Sequence, residues 1–211
     1  MNLSNLAKLI VDVGKGKSFD LHKLRTIGRG AFAKVYERKE NNKFYVYAEV
    51  KDGTDYSKNI MSEVYSDQKS KYLPAIEYLG TYKDRNIFRM PKYKMPLRQS
   101  DSEKAWTTYR KLSEARDMAW YGTHKGKLSP GQSVYIGYDV ANKTIELARK
   151  SKVDFGILRV LERIRDTMAN YGAEYTFEFA PRNLGTDASG NLILVDIVFS
   201  LLEIHKKHGI R

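Results

Sequence analysis

Apolar residues change their spacing several times along this chain, and each change predicts a different element. Leu3, Leu6, Ile10 and Val13 recur at helical spacing, so residues 1–13 read as a short amphipathic helix. The loop Gly14-Lys15-Gly16-Lys17-Ser18 follows. From residue 21 to 51 the period shortens to two, which predicts strands over 24–28, 33–39 and 44–51. Glu40-Asn41-Asn42 has the composition of a tight turn joining the last two. In the third strand Val46, Ala48 and Val50 share one face, while Tyr45, Tyr47, Glu49 and Lys51 share the other. Helical spacing returns over 57–72, with Ile60, Val64 and Tyr72 on the buried stripe. Two more strands are expected over 75–82 and 86–90, linked by Lys83-Asp84-Arg85.

The pattern then breaks at Pro91-Lys92-Tyr93-Lys94-Met95-Pro96, where two prolines forbid a helix and favour an extended linker. Beyond it the periodicity is mainly helical, over about 102–120, 139–151 and 155–170. The last helix has the clearest ends: Asp154 caps it, Phe155, Leu158, Leu161, Ile164 and Met168 form its stripe, and Gly172 stops it. A hairpin follows, with strands near 183–186 and 191–196 around the turn Asp187-Ala188-Ser189-Gly190. The sum is an α+β chain: five antiparallel strands with one inserted helix over 1–90, a linker over 91–97, and helices with a hairpin over 98–211.

Composition narrows the chemistry more than the fold. The absence of cysteine among 211 residues excludes a disulfide scaffold, a thiolate metal site and a cysteine nucleophile. It fits a reducing cytoplasm. No apolar run approaches the roughly 18 residues of a spanning helix, so no membrane role is expected. The 37 basic and 25 acidic residues leave a net charge of +12, which favours acidic or nucleic-acid-associated partners. The basic residues are scattered and no nucleic-acid-binding motif is present, so direct nucleic-acid binding has only the charge behind it. His205 and His208 have metal-ligand spacing near the C-terminus, but with Lys206, Lys207 and Arg211 they read as a solvated basic tail.

Three features carry candidate chemistry. Gly28-Arg29-Gly30-Ala31-Phe32-Ala33-Lys34-Val35 reads G-x-G-x-x-A-x-V and leads into a strand, unlike a dinucleotide-binding turn, whose glycines open a helix. A glycine hairpin of this kind lays backbone N–H groups over phosphates, because no side chain blocks the approach. Lys51 ends the next-but-one strand, and Glu63 follows on the predicted helix. Finally, Glu178, Asn183 and Asp196 bracket the C-terminal hairpin. An Asn and an Asp on a hairpin offer the oxygen ligands that Mg²⁺ prefers, and a neighbouring carboxylate can accept a hydroxyl proton.

Taken in order, these residues resemble the protein-kinase superfamily over about 24–199, leaving 98–150 unmatched. They are most similar to the small, divergent serine/threonine kinases of lytic tailed phages. The resemblance implies a two-lobed fold, with a five-stranded antiparallel N-lobe, a reduced helical C-lobe and MgATP between them. It implies that Gly28, Gly30 and Val35 cover the nucleotide, that Lys51 contacts its phosphates and Glu63 anchors Lys51, and that Met90 and Lys92 belong to the adenine-side hinge. Asn183 and Asp196 would hold Mg²⁺, with Glu178 as base and Arg182 supporting the transferred phosphate.

The departures from the family pattern bear on mechanism. Thr176-Phe177-Glu178 stands for His-Arg-Asp, Ala180 for the catalytic-loop lysine, and Asp196-Ile197-Val198 for Asp-Phe-Gly. After Asp196, 211 − 196 = 15 residues are too few for the usual activation segment and substrate-docking helices. The expectation is an ATP- and Mg-dependent Ser/Thr kinase that phosphorylates host proteins in the host cytoplasm. The alternatives are a pseudokinase-like inhibitor that binds a host protein without turnover, and a small-molecule phosphotransferase.

Overall fold

The computed structural model describes residues 10–12, 18–29, 33–51, 56–82, 84–123 and 136–201. It is a mixed α+β structure in which the described residues form a five-stranded antiparallel sheet, three short two-stranded ladders and four α-helices. The chain divides into two compact units, Met1–Thr54 with Ile76–Lys92, and Asp55–Ala75 with Tyr93–Arg211.

The first unit holds the sheet. β1 (Ile10–Asp12) pairs antiparallel with β2 (Ser18–Asp20). This corrects the helix expected over 1–13, at least where that helix overlaps the described residues. β-Branched Ile10 and Val11 suit a paired strand, and tertiary pairing overrides a short helical pattern. The large sheet is built from β3 (Arg25–Arg29), β4 (Ala33–Glu40), β5 (Lys43–Lys51), β6 (Glu77–Tyr82) and β7 (Arg85–Pro91), in the order β3-β4-β5-β7-β6. Asn41 and Asn42 turn β4 into β5 with positive φ values of 47° and 62°, the left-handed geometry that asparagine tolerates in a two-residue hairpin.

The register runs unbroken through the middle of this sheet. Val35 pairs with Ala48 and Ala48 with Phe88, while Tyr36 pairs with Tyr47 and Tyr47 with Arg89. Alternation therefore puts Tyr36, Tyr47 and Ile87 on one face, where Leu21 from a 3-10 turn (Leu21–Lys23) closes a buried cluster. Two polar tips on this face converge on one carboxylate. Tyr36 donates to Glu49 at 2.7 Å, and His22 approaches the same carboxylate at 3.5 Å. Burial first, then the bond to Glu49, pushes the Tyr36 phenol up.

The second unit begins with α1 (Ser57–Asp67), which packs on α4 (Phe155–Met168) and β11 (Val198–Ser200). The helix ends earlier than the 57–72 expected from periodicity. Ser66 to Ser70 supply polar residues that bond locally rather than extend a helix. Tyr72 is buried as expected but beyond the helix, donating to Asp154 at 3.0 Å. α2 (Glu103–Thr123) packs on α3 (Gly137–Lys150), and α3 on α4. Alanines at 115, 119, 141 and 148 are almost fully buried, so these helices meet over small side chains. Asp154 caps α4 by accepting from the Gly156 N–H at 2.8 Å. Phe155, expected on the stripe of α4, is instead 68% exposed. It is the first helical residue, and the buried face begins with Ile157 and Leu158. Gly172 follows α4 and returns its N–H to the Met168 carbonyl at 3.1 Å. His205 and His208 lie outside the described residues.

Candidate functional site

Two short ladders in the second unit place the C-terminal candidate residues. β8 (Tyr175–Phe177) pairs with β11, and β9 (Leu184–Thr186) pairs with β10 (Leu192–Leu194). The β9–β10 turn is the one predicted. Asp187 accepts from the N–H groups of Ser189 and Asn191, both at 2.9 Å, and Gly190 takes a φ of 75°. Burial raises the Asp187 carboxyl, but bonds from the Asn191 side chain and the loop N–H groups outweigh it and hold it low.

Asn183 sits where the two ladders meet. It ends a 3-10 turn (Pro181–Asn183) opened by proline, which lacks the N–H that such a start leaves unpaired. The sequence pattern placed it on a strand; the fixed φ of Pro181 favours the turn instead. The Asn183 carbonyl accepts from the N–H groups of Val195 at 3.1 Å and Asp196 at 3.0 Å, and the Glu178 N–H donates to Ile197 at 2.7 Å. Three main-chain bonds therefore stitch 178–183 to 195–197. They bring Glu178, Arg182, Asn183 and Asp196 together.

The side chains of the group are all engaged. Asn183 is 9% exposed and donates its Nδ2 to Glu178 Oε2 at 2.8 Å, while Arg182 donates to Glu178 Oε1. Asp196 pairs with the ammonium of Lys58, the second residue of α1. Sequence reasoning missed Lys58. The one available signal was its spacing three residues before the apolar Met61, about one helical turn. Glu63 lies further along the same helix and accepts from the Tyr171 hydroxyl at 3.0 Å.

Of the candidates on the sheet, Gly28 pairs with Val35, and Val46 pairs with Met90. Following the register from strand to strand, Gly28, Val35, Ala48 and Met90 share one face. Lys92 donates its N–H to Phe44 at 2.9 Å and pairs through its ammonium with Glu37, which belongs to that same face. Lys51 falls on the opposite face with Tyr47 and Glu49. Gly30 lies outside the described residues.

The oxygen donors fit a hard cation in kind. Asn183 turns its amide nitrogen to Glu178, leaving Oδ1 for a metal, and the Asp196 side chain is 42% exposed. Among the described residues no group of three or more His, Asp or Glu is placed to hold a metal alone. A cation here would complete its shell with water and phosphate oxygens, as Mg²⁺ at nucleotide sites does. No helix among the described residues is long and apolar enough to cross a membrane. No family model matches this chain, and no curated protein matches it.

Proposed function

We propose that the chain is an ATP- and Mg-dependent phosphotransferase with a divergent, two-lobed protein-kinase-like fold. It transfers phosphate to serine or threonine of host proteins in the cytoplasm. The observation that carries this reading is the main-chain lock between Asn183 and Asp196. Phosphoryl transfer relies on positioning and electrostatics, and a lock of this kind fixes two oxygen ligands relative to a nearby carboxylate.

In this reading Asn183 and Asp196 hold the Mg²⁺, which compensates charge on the phosphates. Glu178 accepts the proton of the attacking hydroxyl, and Arg182 faces the transferred group. On the sheet Gly28, Gly30, Val35, Met90 and Lys92 take the nucleotide. The scattered positive charge of the chain suits acidic protein substrates.

One observation favours a second reading, binding of a host protein without turnover. Both oxygens of Glu178 are already engaged, by Arg182 and Asn183, and Ala180 replaces the lysine expected beside them. Incubation with γ-labelled ATP, Mg²⁺ and a host lysate separates the two. Label on protein that disappears with Asp196→Ala, and falls at least about tenfold with Glu178→Gln, supports transfer. Nucleotide binding with no label in any fraction supports the binding protein. The absence of both overturns the phosphotransferase.

A further inference from the structure

Lysine is among the residues least often buried, because its ammonium loses hydration and its stem loses rotamer freedom. Lys58 is nonetheless 6% exposed. Its partner Asp196 is the wetter member of the pair, with a side chain 42% exposed against 8% for Lys58. The usual surface pair, with a lysine reaching out through water, is inverted here. The ammonium belongs to the more buried side chain and the carboxylate to the wetter one. The open side of Asp196 leaves room for a metal–polyphosphate beside the pair. An ammonium has three donors and no directional fork, so one can stay on Asp196 while the others turn to phosphate oxygens.

The sheet points the same way. Lys51 lies on the face opposite Gly28, Val35 and Met90, so one face of the sheet does not present all of them. Lys58 belongs to the unit that carries Asp196 and Asn183.

Resting on the phosphotransferase reading above, we propose that Lys58, and not Lys51, is the lysine of the polyphosphate site, fixing Asp196 and donating to the phosphates of the metal-bound nucleoside triphosphate. The role is taken by a residue that enters from the first turn of α1, next to the metal ligand it steadies.

Titration calorimetry with MgADP, on the full chain and on Lys58→Met and Lys51→Met, tests this without requiring turnover. Lys58→Met is expected to weaken MgADP binding by at least about tenfold, as loss of a charge-assisted contact does. It should also flatten the dependence of ADP affinity on Mg²⁺ concentration, which a merely structural lysine would leave intact. Lys51→Met should weaken binding less than Lys58→Met. If Lys58→Met does not fold, Lys58→Gln and Asp196→Asn carry the same comparison, and both should lose the Mg²⁺ dependence. Unaltered binding and Mg²⁺ dependence in the Lys58 variants, with loss in Lys51→Met, overturns the assignment and leaves the phosphotransferase standing. A wild-type chain that binds no MgADP overturns both.

Discussion

The Lys58–Asp196 pair makes an asymmetric prediction about stability. Its two members differ in exposure, so removing one is not equivalent to removing the other. In Asp196→Ala the ammonium of Lys58 keeps its place, 8% exposed, and loses its counter-charge. Breaking a fully buried pair costs about 3–5 kcal/mol. Here the vacated side is open to water, so the lower range of about 1–3 kcal/mol for an unsatisfied buried polar group applies. In Lys58→Met the surviving carboxylate is the wetter one, and methionine refills most of the stem's volume. That substitution should cost no more than about 1 kcal/mol. The double variant should resemble Lys58→Met, since the stranded charge is gone. With a urea slope of about 2 kcal/mol/M, the Asp196→Ala midpoint should fall by about 1 M and the other two by half that or less. Urea unfolding followed by far-ultraviolet circular dichroism measures all four proteins. Equal losses in the two single variants, or additive losses in the double, would refute the inverted arrangement.

Substitutions at three further positions probe other parts of the chain. Gly137→Ala should destabilise by about 1–3 kcal/mol in thermal unfolding, although alanine favours a helix, because its Cβ would stand 2.7 Å from the Glu174 carbonyl; a rise in Tm would contradict this. Asp154→Ala should cost about 1–2 kcal/mol, since it removes the α4 cap and the acceptor of the Tyr72 hydroxyl. Burial raises the Asp154 carboxyl, but the Tyr72 hydroxyl and the cap N–H groups hold it below its ordinary value. Its contribution is therefore present above the unfolded carboxylate range and lost as pH falls, and a titration of Asp154→Asn should lack that acid-side loss. At the alkaline end, burial followed by the bond to Glu63 pushes the Tyr171 phenol up to about 12, and Tyr36 and Tyr47 are raised by burial and their carboxylate partners. These groups stabilise the fold below the ordinary tyrosine value of about 10, and that stability should drain away as pH rises toward their folded values. Tyrosinate absorbance should show Tyr171 ionising earlier in Glu63→Gln; an unchanged curve would break the link.

Much of the fold was legible because period-two and period-3.6 patterns alternate cleanly between residues 24 and 194. The sheet strands, the three later helices and the Asp187–Gly190 turn are local consequences of patterning and turn chemistry. The failures share a cause. Ile10 to Asp12 has helical spacing on paper, but its partner at 18–20 is a tertiary fact that a short window does not contain. Phe155 fits the stripe by number, yet it starts the helix, where the buried face has not begun. The candidate site divided in the same way. Glu178, Asn183 and Asp196 were legible because one hairpin links them. Lys58 was not, because its partner lies 196 − 58 = 138 residues away. A lysine one turn from an apolar residue is easily read as a snorkelling stem.

The state of Glu178 bears most directly on whether the site transfers phosphate or only binds. A base must present a free lone pair to the hydroxyl it deprotonates. Both Glu178 oxygens are engaged, one by Arg182 and one by the amide of Asn183. The two engagements differ in how readily they release. Arg182 is exposed, its side chain 70% accessible, so its ion pair competes with water and can open at small cost. Asn183 is buried, and its carbonyl is held by the Val195 and Asp196 N–H groups, so its amide has little freedom to leave. In the phosphotransferase reading, Glu178 Oε1 would be the oxygen more readily opened to a hydroxyl, because its partner is the exposed Arg182. Arrival of a transferable group and unmasking of the base would then coincide. In that reading the carboxylate would stay covered until the phosphate arrives, while Oε2 keeps its bond to Asn183.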